Sequence, residues 1–251
     1  MATQSDSFSL TGDPLVEAVT AAVRVHMARY DGSHDFNHIR RVVGNARHLT
    51  AAFEKEQPET PVDKKVVALA ALLHDVGDRK YVADDENKNE GAAILAGTPY
   101  EDDKGARATA AVLHKVGGTA TPALLELSRR VITVCQNVSW SHETKTPASE
   151  AAVAQLAAAM PELAIVQDAD RLDAIGAVGI GRCFAFGARP TASAPLGRSL
   201  DVTLAHFDEK LLLVGGRMKT AEGRRLAVSR TERMQTLQAW FQEESSFAIG
   251  E

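Results

Sequence analysis

Run after run of this chain spaces its apolar residues three and four positions apart, a period that suits an amphipathic helix and little else. In "HIRRVVGNARHL" the stripe is Ile39, Val42, Val43, Ala46 and Leu49; further on it is Val66, Leu69, Ala70 and Leu73. Both stretches read as helices with one face turned to a core. "DPLVEAVTAAVRVHMARY" adds a capped helix, with Asp13 at its start and Pro14 in its first turn. Further helices are expected at about 88–97, 104–116, 122–137, 149–159, 161–186, 199–214 and 227–245, while alternating strand-like runs between hairpin turns are scarce. The fold class is therefore all-α. Loops fall at "EKEQPETP", "GTPYED", "VGGTATP" and "SHETKTP", and a longer one, "GARPTASAPLGRS" at 187–199, has the composition of a lid or an insertion. Residues 1–12 are polar and expected to fray, which leaves 13–251 as one domain; a chain of 251 residues, 45% hydrophobic, can bury a continuous core of that size.

The formal net charge of −5 argues against a general affinity for nucleic acid or an anionic membrane. A small anionic substrate would need cations of its own at the site. Cys135 and Cys183 lie in apolar surroundings without CxxC or Cys/His spacing and read as buried free thiols, in keeping with a reducing compartment. The chain does not begin with a basic segment followed by an apolar one, and no apolar run reaches the roughly 18 residues of a bilayer span, so a soluble, cytoplasmic protein is expected. An apolar helical face serves a core or a homo-oligomer interface equally well.

Against this apolar background a few ionisable groups stand out. "LLHDVGDRKY" ends a strongly apolar helix in His74 and Asp75, where unpaired burial would cost several kcal/mol and coordination of a cation would satisfy both. A second His-Asp pair, His34–Asp35, precedes His38 by one turn and suits the cap of the helix that carries it. In "VQDADRLDAIGAVGIGRCF" the carboxylates of Asp168, Asp170 and Asp173 interrupt an otherwise apolar pattern. Two imidazoles and two carboxylates drawn from these helices would suit a borderline or hard divalent ion. Helix caps and core salt bridges account for the same residues equally well at this level.

These residues also carry a resemblance. "His38 … His74–Asp75 … Asp170" resembles the H…HD…D signature of the HD-domain superfamily of metal-dependent phosphohydrolases, and "SHDFNHIRRV", "ALLHDVGDRKY", "QDADRLDAIGAVGIGR" and "HFDEKLL" extend the likeness to its small, single-domain bacterial and fungal branch. The resemblance implies a helical bundle with a metal site in its core cleft. It implies that His38, His74, Asp75 and Asp170 are the metal ligands and that Asp78 is the general acid/base or water-orienting group. Mn²⁺ is the favoured ion, with Fe²⁺, Co²⁺, Mg²⁺, Zn²⁺ and Ni²⁺ as alternatives. Arg41, Arg79, Lys80, Arg171 and Lys210 lie within the matched segments as candidates to hold phosphate oxygens, with His206 in a structural role. The implied partner is a small phosphorylated molecule, in particular a nucleoside or deoxynucleoside triphosphate cleaved to monophosphate and pyrophosphate. The sequence has no Walker-type glycine-rich loop, so side chains and metal would do the phosphate binding. Phe36, Tyr81, Trp140 and Phe207 are the aromatic candidates for stacking on a base, though packing explains them too.

Two rival readings remain. His114 and His142 fall between the HD pair and Asp170, an order that resembles dinuclear members of the superfamily, and a second metal on them would imply a two-iron oxygenase. Alternatively, the chain binds a nucleotide without turning it over and acts as a sensor.

Overall fold

The computed structural model describes residues 12–30, 34–78, 91–119 and 121–247. Among them, the regular structure is helix throughout, apart from one isolated bridge between Thr191 and Ala194. Short polar side chains start the helices by accepting the N–H groups that a first turn leaves unpaired. Asp13 accepts from Leu15 and Val16 ahead of α1 (Pro14–Met27), Asp35 from His38 ahead of α2 (Phe36–Glu56), and Asp63 from Lys65 and Val66 ahead of α3 (Lys64–Leu73). There follow α4 (Ala92–Leu95), α5 (Lys104–Gly117), α6 (Pro122–Val138), α7 (Trp140–Glu143), α8 (Pro147–Ala159), α9 (Pro161–Asp173) and α10 (Gly176–Gly187). The chain closes with α11 (Leu200–His206), a π-helical turn (Phe207–Leu211), α12 (Leu212–Val214), a 3₁₀ turn (Gly215–Arg217) and α13 (Ala221–Ser245). No single helix among the described residues is long and apolar enough to cross a membrane.

Helix α3 is the centre of the molecule. Val66 to Leu73 are buried without interruption, as a helix apolar on all sides requires, and α1, α2, α6 and α9 pack around it. Helix α2 contributes one stripe, Ile39, Val42, Ala46, Leu49 and Phe53, while its opposite side faces solvent. The three innermost elements, α2, α3 and α9, are thus the ones that carry His38, the His74–Asp75 pair and Asp170. Just past α3 the chain turns so tightly against the start of α5 that a Cβ on Gly77 would lie 2.5 Å from the carbonyl oxygen of Gly105. Glycine in "HDVGD" is therefore a packing requirement of the turn that holds the pair.

The helix boundaries differ from expectation in four places. The single helix expected at 161–186 is two, α9 and α10, broken at Gly176, whose φ of +73° lies in the left-handed region. Because the apolar pattern runs on through "AIGAVGIG", periodicity does not register the break. The helix expected at 199–214 is divided by the π turn at Phe207–Leu211. Helix α13 starts at Ala221, several residues before 227, where the Thr220 side chain accepts from Gly223 N; a polar first turn gives no apolar signal. "SHETKTP", expected as loop, begins within α7, which forms because Glu143 is drawn into the core. Of the expected 88–97 helix, residues 88–90 lie outside the described region.

Glu143, 1% exposed, accepts from Gln167 Nε2 at 3.0 Å and Lys219 Nζ at 2.7 Å, and also pairs with the Arg171 guanidinium. Asp168 accepts from Lys219 N, Thr220 N and the Thr220 hydroxyl at 2.7 to 3.0 Å. These two buried carboxylates fasten the back of α9 to α7 and to the start of α13, leaving its other face for Asp170 and Asp173.

Candidate metal centre

Each residue of the cluster is brought in by a local device. Asp35 accepts from His38 N at 3.0 Å as the N-cap of α2, which fixes His38 in the first helical turn. His74 is the C-cap of α3, and its Nδ1 lies 2.9 Å from Ala71 O. A carbonyl only accepts, so that contact assigns the proton to Nδ1 and leaves Nε2 with a lone pair. His38 Nδ1 lies 2.8 Å from Asp173 Oδ2, and an ionised carboxylate again assigns the proton to Nδ1. Both imidazoles therefore present bare Nε2 atoms inward.

The two Nε2 atoms are 3.2 Å apart. His38 Nε2 lies 3.2 Å from Asp75 Oδ2 and 3.6 Å from Asp170 Oδ1; His74 Nε2 lies 3.5 Å from Asp75 Oδ1 and 3.7 Å from Asp170 Oδ1. His38, His74 and Asp170 each offer an atom within 4.8 Å of the others, and Asp75 addresses the two imidazoles with separate oxygens. Asp75 Oδ2 is buried without a hydrogen-bond partner despite its 3.2 Å approach to His38. Two lone pairs and two carboxylates thus face each other with no donor between them. Ligand arms of about 2.0–2.2 Å place neighbouring donor atoms about 3–3.6 Å apart, so a divalent cation fits this set.

Without a cation, protons take up the same role. Burial opposes a charged His74, but Asp75 and Asp170 outweigh it and raise its pKa to about 9. Burial also works against charge on Asp75 and Asp170, yet His74 and His38 hold both carboxyls well below their ordinary range.

A second layer braces the first. Asp173, 2% exposed, accepts from His38 Nδ1, from Arg41 Nε at 2.7 Å and Nη2 at 3.1 Å, and pairs with Arg182 Nη1 at 3.1 Å. Arg41, a phosphate candidate in the sequence, is therefore engaged with the carboxylate that orients His38. Arg171, another, turns inward: it is 3% exposed, bonded to Glu143, donates Nη1 to Arg217 O at 2.7 Å, and lies 5.7 Å from the Trp140 ring. Its neighbour Asp170 faces the cluster while Arg171, one residue and about 100° further around the helix, faces Glu143.

Asp78 sits partly exposed in the turn after Asp75, its N–H donating to Asp75 O at 3.1 Å. Lys210 lies on the π turn, and its charge and that of Arg198 reach Cys183, partly offsetting the rise that burial imposes on that thiol. His206 stands 3.3 Å from Glu209. Arg79, Lys80 and Tyr81 lie outside the described residues. His114 and His142 are both exposed, and neither joins a ligand cluster among the described residues. Of the aromatic candidates, Phe207 is fully buried, the Trp140 ring is met by the Arg171 and Arg217 guanidinium groups, and Phe36 lies under Arg24 at 4.8 Å. Sequence reasoning missed Arg182 on α10, because it meets Asp173 only after the break at Gly176 redirects the chain.

The HD domain family matches residues 35–175, the span from the cap of α2 to the end of α9. The protein YpgQ of Bacillus subtilis (strain 168) is 30% identical over 215 residues, covering 85% of each chain. The crystal structure of YpgQ in complex with ADP superimposes with a TM-score of 0.56 at 26% identity, over 91% of this chain and 97% of that one. An HD-superfamily hydrolase from Bacillus thuringiensis superimposes with a TM-score of 0.57 at 26% identity, over 95% of this chain and 100% of that one. With the match extending over more than half the sequence and enclosing all four converging residues, this chain belongs to the HD domain family.

Proposed function

We propose that this chain is a divalent-metal-dependent phosphohydrolase that cleaves nucleoside or deoxynucleoside triphosphates to monophosphate and pyrophosphate. The observation that carries the reading is the convergence of His38, His74, Asp75 and Asp170 with no donor among them. The ADP complex of YpgQ supports a nucleotide as the ligand class. A divalent ion held by these residues would supply Lewis acidity for phosphoryl transfer and positive charge for the departing group. Mn²⁺ is the ion we favour, among the borderline and hard divalent ions that a set mixing imidazole nitrogen with carboxylate oxygen suits.

The protein's own contribution is orientation and charge. Asp173 keeps the His38 proton on Nδ1, which leaves the Nε2 lone pair directed into the cluster, where it would hold the ion. Asp78, three residues past Asp75, takes the proton of the attacking water and returns it to the leaving side. Lys210, on the π turn, is the candidate to stabilise the charge that gathers on the departing pyrophosphate. Arg79 and Lys80, next to Asp78 in sequence, are further candidates for that task. Water attacks directly, and no covalent enzyme intermediate is required.

The test is product analysis by ion-exchange chromatography after metal-free protein is incubated with a nucleotide panel and Mn²⁺, with the Asp75→Asn variant alongside. Monophosphate and pyrophosphate from the wild type alone are expected. Orthophosphate instead would make it a phosphatase, and binding without any product would make it a sensor and overturn hydrolysis.

A further inference from the structure

A row of rings leads outward from the buried imidazoles. The His34 ring meets His38 edge-on, with centroids 6.0 Å apart, and meets Phe186 edge-on at 5.9 Å. The Arg198 guanidinium lies over the Phe186 ring, its Cζ 5.8 Å from the centroid. Phe186 stands one turn after Arg182 on α10, so the face of that helix that braces Asp173 also carries this ring.

The loop at 187–199 holds the arrangement in place. Arg198 N donates to Gly187 O at 2.7 Å, and Thr191 and Ala194 exchange backbone hydrogen bonds of 2.9 and 3.1 Å. The loop is thus tied to the end of α10, with Arg198 set above Phe186. Unlike the fully buried Phe207, Phe186 is partly exposed, and its ring is met by a cation from the loop and by the His34 imidazole, which in turn meets His38. A cation and a flat ring thus stand together one ring beyond His38, with the His34 imidazole in contact with both rings.

We propose that Phe186, with Arg198 above it and His34 at its edge, is the face on which the nucleobase of the substrate stacks while its phosphates lie at the metal centre. The proposal rests on the nucleotide reading above. Bases stack on aromatic rings and on arginine planes, and both surfaces are supplied here. A phenyl ring offers no hydrogen-bond pattern, so this face ranks bases by the size of their π surface, purines ahead of pyrimidines.

Calorimetric titration of the Mn²⁺-loaded protein tests it with two non-hydrolysable probes, α,β-methylene-ADP and methylenediphosphonate, which share the diphosphonate and differ by the nucleoside. For Phe186→Leu the Kd of the nucleotide probe rises about tenfold or more, that of methylenediphosphonate stays within about twofold, and Phe186→Tyr restores the nucleotide affinity. The proposal is overturned if the leucine variant binds the nucleotide as the wild type does, if it weakens both probes equally, or if the wild type binds the nucleotide no better than methylenediphosphonate. A wild type that shows the nucleoside-dependent affinity yet turns over no triphosphate sinks the hydrolase reading and leaves this one standing.

Discussion

Replacing Asp173 by asparagine leaves all four converging residues in place and attacks only their orientation. In the wild type the carboxylate accepts from His38 Nδ1 at 2.8 Å and pairs with Arg41 and Arg182 at 2.7 and 3.1 Å. An amide of the same shape loses the charge that holds the imidazole proton on Nδ1, and its NH₂ can itself donate there. The tautomer that places a proton on Nε2, inside the cluster, then becomes accessible. Loss of such a partner costs a metal site about 10–100-fold in affinity, or about 1.4–2.8 kcal/mol. Stability falls as well, by about 2 kcal/mol: less than the about 3–5 kcal/mol of a fully buried broken pair, because Arg41 is 35% exposed and can be hydrated. The assay is competition for Mn²⁺ with a chromophoric chelator, paired with a thermal melt of the metal-free protein. Arg41→Met is the control: it gives up the ion pair but leaves the His38 contact intact, so it loses stability without the same loss of affinity. If Asp173→Asn binds Mn²⁺ as tightly as the wild type, the orienting role is refuted.

Three further outcomes follow from particular contacts. Asp78→Asn lowers kcat by about 10²–10⁴-fold while Mn²⁺ affinity stays near wild type, because the residue moves a proton rather than holding the ion; a parallel loss of affinity contradicts that role. Burial opposes charge on Glu143, but Lys219 and Arg171 outweigh it and hold the carboxyl below its ordinary pKa of 4.5. Its contribution to stability is therefore complete above that value and fades as pH falls through the lower folded-state pKa. In urea titrations across the acid range, Glu143→Gln should be less stable than wild type near neutrality and should show a shallower acid loss. Gly77→Ala forces a Cβ to 2.5 Å from a backbone oxygen that cannot rotate away, and should cost about 1–3 kcal/mol in a denaturant melt; an unchanged melt would mean that α5 yields at that point.

What could be read from the sequence, and what could not, follows from the range of the interactions. Caps act within one turn, so Asp13 with Pro14 already marks the start of α1, and the three-and-four stripes of Ile39 to Leu49 and Val66 to Leu73 identify core helices. The HD motif and its flanking segments point to the residues that converge. The separate tasks of Asp168, Asp170 and Asp173 could not be read from spacing. One fastens α13, one faces the cluster and one orients His38, and each task depends on partners as far away in sequence as His38 and Thr220. Arg41 and Arg171 were reasonable phosphate candidates by charge, but the buried carboxylates of Asp173 and Glu143 claim them. Phe186 drew no notice because the apolar run through Gly176 hides the turn that brings it against His34.

The account stands most directly on the metal content of the protein. Metal-free protein reconstituted with Mn²⁺, freed of excess ion and measured by inductively coupled plasma mass spectrometry, should hold one ion per chain, and Asp170→Asn should hold markedly less while His114→Ala and His142→Ala remain at one. Two ions per chain that fall to one in either histidine variant, or an Asp170→Asn protein that keeps its full complement, would contradict it.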